Sequence, residues 1–388
     1  MSDWQEPWRL AQERVTDLYG RHVGEQADAL PTPALVVDTE ALDRNLAAMN
    51  AALAGQTARL RPHTKVQKSP DIALRQIAAG AVGVAVASVW EAAAMAAAGV
   101  SDVLIANQVV PADKVNAAAA LAGYASLTVA VDDARNIEAL SAAAARAGTE
   151  IGVLVEVDVG MGRCGARSAP EALRLAEQAH AAPGLRLKGV QAYEGHCMLV
   201  PDREKRIRMA TRAMDTAAEA LALMRSHGLP AGTLSGGGTG TYDITGRHPA
   251  VTELQAGSYV FMDAMHGNLV SGFEISLTVL TTVVARHGHT VILDAGRKSV
   301  GIDFVSPPLL GHDYTARYFA EEHAMFDTDE RFGADVGDRV RLVSGYAPTT
   351  VNLHDVLYAV RGGQVEQVWP VFPRGAGHGG FLTALLPG

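Results

Sequence analysis

Runs of β-branched and other apolar residues recur along the first two thirds of the chain, at 34–38, 59–63, 82–88, 102–107, 127–132, 151–159, 187–193, 233–236 and 251–262. Between them lie Ala-, Leu- and Arg-rich stretches with helical spacing, among them 39–53, 133–146 and 169–182. Asp38 and Thr39 ahead of Glu40-Ala41-Leu42 predict a helix N-cap. Strands that are apolar throughout and alternate with helices describe a parallel sheet covered on both faces. About eight such units in roughly 250 residues predict a (β/α)₈ TIM barrel. An open doubly wound sheet usually carries a G-x-G-x-x-G turn after its first strand, and Asp38-Thr39-Glu40 is not that.

After about Gly272 the pattern changes. Short runs at 278–285, 290–293, 339–343, 356–361 and 365–369 alternate with turns such as His287-Gly288-His289 and Gly362-Gly363. They predict antiparallel hairpins and a second, mostly-β domain. The chain therefore divides into an N-terminal segment at 1–29, a barrel at 30–271 with its first strand at 34–38, and a β domain at 272–388. The N-terminal segment, with Trp4, Pro7 and Trp8, is expected to pack on the β domain or on a partner subunit.

Composition narrows the class. Of 388 residues, 48% are hydrophobic and 19% charged, which suits a soluble globular protein with ample core. A net charge of −9 excludes the basic surface that a nucleic-acid or anionic-membrane partner requires. The most apolar stretch, 78–100, is broken by Glu91 and reads as strand then helix, not as a membrane span. Cys164 and Cys197 show neither a disulfide framework nor metal spacing, and the N-terminus has no apolar signal region, so a cytoplasmic protein is expected.

Candidate chemistry falls where barrel strands end, which is where barrel active sites lie. Lys65, in Arg61-Pro62-His63-Thr64-Lys65, follows the run 59–63. A lysine can hold an aldehyde cofactor as a Schiff base when its amine is partly desolvated. Lys68 lies beyond the strand end and is expected to be a solvated surface lysine. The cluster Gly236, Gly237, Gly238 and Gly240, with Thr239 and Thr241, follows a strand and can turn several N–H groups toward one phosphate. Arg163, across the mouth from Lys65, suits a pyridine nitrogen partner, with a salt bridge to Glu156 or Asp158 as the competing reading. His63 shares the strand face of Lys65. His196 and Tyr193 are candidate acid–base groups, although a buried histidine of no chemical role competes for His196.

These motifs resemble the D-threonine aldolase and D-serine dehydratase family, which includes 3-hydroxy-D-aspartate aldolases. The matching pieces include Arg61-Pro-His-Thr-Lys65, Asp158-Val-Gly-Met-Gly-Arg163-Cys-Gly, Gln191-Ala-Tyr-Glu-Gly-His196, Ser235-Gly-Gly-Gly-Thr-Gly-Thr241 and Gly257-Ser-Tyr-Val-Phe-Met-Asp263, in order along nearly the whole chain. The resemblance implies an alanine-racemase-like barrel, pyridoxal 5'-phosphate and a homodimer in which the β domain of one subunit completes the site of the other. It implies that Lys65 bonds the cofactor aldehyde and that Arg163 meets the ring nitrogen. Tyr193 would lie near the cofactor oxygen, while Gly238, Thr239, Gly257, Ser258 and Tyr259 would hold the phosphate.

The departures bear on the reaction. Family members with a divalent metal carry a His-x-Asp or His-x-Cys pair where this chain has Tyr346 and Pro348, and proline has no side-chain donor. Gln67 and Leu199 replace histidines found in relatives. No metal site is therefore expected, and the base would be His196 or Tyr346. The activity this favours is retro-aldol cleavage of a β-hydroxy-D-amino acid to glycine and an aldehyde. An amino-acid racemase, a D-serine dehydratase-like ammonia-lyase and a pyridoxal phosphate carrier protein are the alternatives. A carrier of that kind is a single barrel, so the second domain counts against it.

Overall fold

The computed structural model describes residues 5–312, 314 and 316–374. Helix α1 (Glu6–Tyr19) leads to strand β1 (Ala34–Asp38) and helix α2 (Thr39–Leu53). The expected cap is present: Asp38 Oδ1 accepts the N–H groups of Glu40 at 2.9 Å and Ala41 at 3.0 Å. Strand and helix then alternate through β2 (Arg59–Leu60), α3 (Pro70–Ala78), β3 (Val84–Val86), α4 (Val89–Ala97), β4 (Asp102–Gln108) and α5 (Ala112–Leu121). The alternation continues with β5 (Ser126–Val131), α6 (Ala134–Ala147), β6 (Ile151–Glu156), α7 (Ala169–Ala181), β7 (Leu185–Ala192) and α8 (Arg203–Ser226). It finishes with β8 (Thr233–Gly236), the one-turn α9 (Tyr242–Thr245), β9 (Glu253–Leu254) and the one-turn α10 (Ala264–Gly267).

Strands β2 to β9 form one parallel sheet in the order β2-β9-β8-β7-β6-β5-β4-β3. A parallel bridge between His63 and Ala85 joins the two ends and closes the ring. Thr64 N–H donates to Ala85 O at 2.8 Å, and Ala85 N–H to Pro62 O at 2.9 Å, across that seam. At the N-terminal end of the strands, buried Arg61 donates to Glu253 at 2.8 Å and to Asp102 at 2.7 Å, linking β2 to β9 and β4. Valine, leucine and isoleucine fill the barrel strands, and Ala-rich helix faces pack outside them, as the alternating pattern requires. Among the described residues, no helix is long and apolar enough to cross a membrane.

The second domain contributes β10 (Leu277–His287), β11 (Thr290–Leu293), β12 (Ala316–Phe319), β13 (Ala324–Asp327), β14 (Arg339–Val343), α11 (Ala347–Val351), β15 (Val356–Arg361) and β16 (Gln364–Pro370). Their sheet runs β12-β13-β11-β10-β1-β15-β16, with β14 also paired to β10. Strand β1 thus departs from the sequence expectation. It is not the first barrel strand but the centre of the β-domain sheet, antiparallel to β10 (Ala34↔Leu280) and parallel to β15 (Val36↔Tyr358). An apolar five-residue strand fits either sheet, and only the distant partners decide between them. Helix α1 packs on β16, with Trp8 against Phe372 at 5.6 Å between ring centroids and Tyr19 edge-on to Tyr358. Trp4 lies outside the described residues.

Candidate active site

At the C-terminal ends of the barrel strands a cavity of about 310 Å³ is lined by Lys65, Arg163, Tyr193, Thr239, Ser258 and Tyr346, among others. Lys65 reaches it because Arg61-Pro62-His63 extends β2 past its last ladder pair and Thr64 bonds to β3. Burial and then the neighbouring Arg163 cation depress the Lys65 amine below its usual range, while Glu91 opposes the shift. Such an amine is neutral more of the time at a given pH, which is the state that attacks a carbonyl. Its Nζ stands 5.7 Å from the centroid of Tyr193, and Arg163 Cζ stands 5.6 Å from the same ring.

His63 lies beside Lys65. Its Nδ1 faces the Lys65 N–H at 3.4 Å, and the ring also bonds the backbone of Ala85. Burial, Lys65 and Arg163 in that order hold it well below the usual histidine range, so it is neutral. Burial and the adjacent Glu194 raise the Tyr193 phenol, which remains protonated. Arg163 is half exposed, and its Nη2 stands 3.6 Å from Glu156 Oε1. Glu156, raised chiefly by burial, also accepts from Gln108 and Gln191. Asp158, the other candidate partner of Arg163, is taken by Arg167 and by the N–H groups of Gly160 and Gly162.

Two single turns border the same cavity, Thr239–Thr241 after β8 and Ser258–Val260 after β9. The first N–H groups of such turns have no acceptor inside the turn, and Gly238, Thr239, Gly257 and Ser258 all line the cavity. These groups, with the Ser258 hydroxyl, could take a phosphate. Gly257 has no room for a side chain, because a Cβ there would stand 2.6 Å from His63 O. Behind the first turn lies Glu194, fully buried, which accepts from Gly237 N–H at 3.2 Å and from the hydroxyls of Thr241 at 2.6 Å and Thr245 at 2.5 Å. Tyr259 is arranged otherwise than the sequence suggested. Its ring is buried against Phe273, its hydroxyl accepts from Gln76, and only its N–H, bonded to Thr239 Oγ1 at 3.0 Å, faces the turn.

Two further sequence expectations are resolved differently. Lys68 is not a solvated surface lysine. A left-handed backbone (φ 44°) swings it inward, where it pairs with Glu91 at 2.9 Å and donates to Pro373 O. His196 does not line the cavity. Its ring rests on Gly160, where a Cβ would come within 3.1 Å, and its Nδ1 is buried without a partner among the described residues. Gln67 is also turned away, bonded to Gln76 in the core, whereas Leu199 stands exposed at the cavity mouth.

The β domain supplies the far wall. Tyr346 reaches the cavity from the same chain, so the site does not need the β domain of a second subunit to bring it there. Burial, Asp263 and Asp303 raise its phenol, which stays protonated. Phe304 meets its ring edge-on at 5.1 Å. On the other side Tyr346 stacks over His266, with centroids 6.4 Å apart and planes 18° from parallel. His266 lines the cavity, and reading the sequence for strand-end residues missed it, because it sits on the one-turn α10 beyond β9. The available signal was the Asp263-x-x-His266 spacing, which places a carboxylate and an imidazole on one turn. His354 bonds Ser299 O at 2.7 Å away from the cavity. Among the described residues no three His, Cys, Asp or Glu side chains are grouped to share a metal ion. Pro348 stands in the first turn of α11 with no donor to offer.

Comparison with known proteins gives one consistent result. Residues 37–265 match the family described as alanine racemase, N-terminal domain, and residues 276–360 match a serine dehydratase domain. A D-threonine aldolase of Arthrobacter sp is 41% identical over 361 residues, covering 91% of this chain and 95% of that protein. A 3-hydroxy-D-aspartate aldolase of Paracoccus denitrificans (strain Pd 1222) is 38% identical over 385 residues, covering 94% of this chain and 99% of that protein. The crystal structure of D-threonine aldolase from Filomicrobium marinum superposes with a TM-score of 0.89 at 38% identity, covering 91% of this chain and 98% of that one.

Proposed function

Because this chain belongs to the alanine-racemase-like family of pyridoxal phosphate enzymes that contains the D-threonine aldolases, we propose that it is a lyase cleaving β-hydroxy-D-amino acids to glycine and an aldehyde. The observation that carries this reading is the placement of Lys65. An amine of lowered pKa faces one cavity that an arginine and two glycine-led turns also line. That donor set fits pyridoxal phosphate: Lys65 for the aldehyde carbon, Arg163 for the ring nitrogen, and Gly238, Thr239, Gly257 and Ser258 for the phosphate. When bound, the cofactor supplies a conjugated acceptor for the electron pair that the departing aldehyde leaves on Cα.

The chain's own residues do the rest. Tyr193, lying between the two cations, would support the cofactor face, and Arg163 would meet the ring nitrogen and keep it unprotonated. His63, neutral and accepting the Lys65 N–H at its Nδ1, helps to fix the backbone that carries Lys65. Tyr346 donates its hydroxyl to the oxygen on Cβ, orienting it and stabilising the carbonyl as it forms. Tyr346 and Pro348 do not fit a divalent ion, and we read the reaction as proceeding without one. Supplying the purified protein with D-threonine, D-serine and D-alanine tests the reading. Glycine and acetaldehyde from D-threonine are expected. Pyruvate from D-serine, or L-alanine from D-alanine, as the main product would replace the aldolase with a dehydratase or a racemase.

A homodimer in the cytoplasm is the assembly we favour, on the strength of the family and of two free thiols, Cys164 and Cys197. Light scattering should return twice the 40.7 kDa chain mass. An active species of single-chain mass would make the monomer the working unit.

A further inference from the structure

We propose that His266, held by Asp263, is the catalytic base that takes the β-hydroxyl proton. This rests on the retro-aldol reading above and adds to it the group that receives the proton.

Asp263 is fully buried and completely used. Its Oδ1 accepts the backbone N–H of His266 at 2.8 Å and the ring Nδ1–H at 2.7 Å, while its Oδ2 accepts the N–H of Ala347 at 2.9 Å. An ionised carboxylate only accepts, so the proton of the neutral ring must sit on Nδ1, and Nε2 is left as the basic nitrogen. No other hydrogen bond reaches the ring among the described residues, and the side chain lines the same cavity as Lys65. The bond to Ala347 ties this pair to the residue that follows Tyr346. One carboxylate therefore places the base and steadies the phenol that stacks on it. When the ring gains a proton, Asp263 stands ready to balance the charge.

The other groups in the cavity are unsuited to this task. Lys65 is committed to the cofactor and Arg163 is a permanent cation. Tyr193 and Tyr346 are phenols pushed upward by burial, and His63 is held well below the usual histidine range by burial and two neighbouring cations, which makes it a weak base. His196 lies outside the cavity. In the step itself the O–H proton passes to His266 Nε2 and the O–H pair becomes the second bond of the aldehyde carbonyl. The Cα–Cβ pair remains on Cα, and protonation there completes glycine. The charged and titratable groups around His266 are Asp263 on its own segment, Tyr346 from the β domain, whose phenol Asp303 also influences, and Lys65 and Arg163 lining the same cavity.

The test uses H266N, whose side-chain amide keeps a donor to Asp263 but has no basic nitrogen toward the cavity, together with D263N. In the cofactor-free protein, a downfield Nδ1 proton resonance should be present in the wild type and lost in H266N and D263N. H266N should bind pyridoxal phosphate as the wild type does and should still exchange the Cα proton of glycine for deuterium. It should cleave D-threonine about 10²–10⁴-fold more slowly, the usual range for loss of a general base. Cleavage within a few-fold of wild type would overturn the assignment, as would equal losses of cleavage and glycine exchange. A wild-type protein that exchanges glycine but cleaves no β-hydroxy-D-amino acid would instead count against the retro-aldol reading.

Discussion

Lys65 and Lys68 lie within one turn of chain, yet one amine faces the cavity beside Tyr193 while the other is clamped 2.9 Å from Glu91. Borohydride reduction of the holoenzyme should therefore fix the cofactor on Lys65 alone, and Lys65→Ala should lose both absorbance and turnover. Lys68→Ala should keep the label but unfold earlier. Its loss leaves Glu91 a buried carboxylate without its cation, held only by the Ala87 N–H among the described residues, a change worth about 3–5 kcal/mol. Peptide mapping and a denaturant titration read the two effects, and label on Lys68 would refute the assignment.

Cofactor capture should depend on pH with a defined sign. The Lys65 pKa is lowered by burial first and Arg163 second. The reactive neutral amine therefore appears as pH rises through a value below the ordinary lysine pKa of about 10.4. Arg163→Gln removes one lowering cause, raises that pKa and moves the profile to higher pH. Stopped-flow mixing of apoprotein with pyridoxal phosphate across pH measures it, and an unmoved profile would mean that Arg163 does not act on Lys65.

Glu194 should govern how well the turn after β8 keeps its shape. Glu194→Ala leaves Gly237 N–H and two buried threonine hydroxyls without their acceptor, at about 1–3 kcal/mol for each group left unpaired. We expect a lower melting temperature and at least tenfold weaker binding of pyridoxal phosphate by fluorescence titration, with Glu194→Gln milder in both. Unchanged affinity in Glu194→Ala would separate this carboxylate from the phosphate site.

Dialysis against a strong chelator should leave turnover intact, and elemental analysis should find no stoichiometric Mn, Mg or Zn. Tyr346→Phe should lower kcat by about 10²–10³-fold, in line with loss of one preorganised donor, and leave cofactor affinity as it was. Turnover abolished by chelation and restored by Mn²⁺ or Zn²⁺ would show that other residues hold a metal.

The barrel was legible because its strands are uninterrupted apolar runs, and part of the cavity lining because Lys65, Arg163 and the glycine cluster each follow one. Other features depend on contacts far apart in sequence. The identity of β1 is decided by pairing with residues 277–280 and 358–360. The inward turn of Lys68 depends on its positive φ and on Glu91, and Tyr259 is turned inward by Gln76. His266 was overlooked because Asp-x-x-His on a short helix after a strand resembles an ordinary N-cap. Asp263 does cap that turn, and the same oxygen also holds the ring.

The central place of β1 in the β-domain sheet has a consequence for synthesis. Its partners β10 and β15 are made some 240 to 320 residues after it, so the barrel is in effect a long insertion between two strands that must meet. As the chain leaves the ribosome, the last barrel strand, β9, emerges about a hundred residues before β15 is complete. At about 5–20 residues per second, that leaves β1 waiting with an open edge for roughly 5–20 s after the barrel can close. An apolar strand exposed for that long can pair with a neighbouring chain. It follows that a fragment starting at residue 272 should fail to fold alone, since it lacks the strand at the middle of its own sheet.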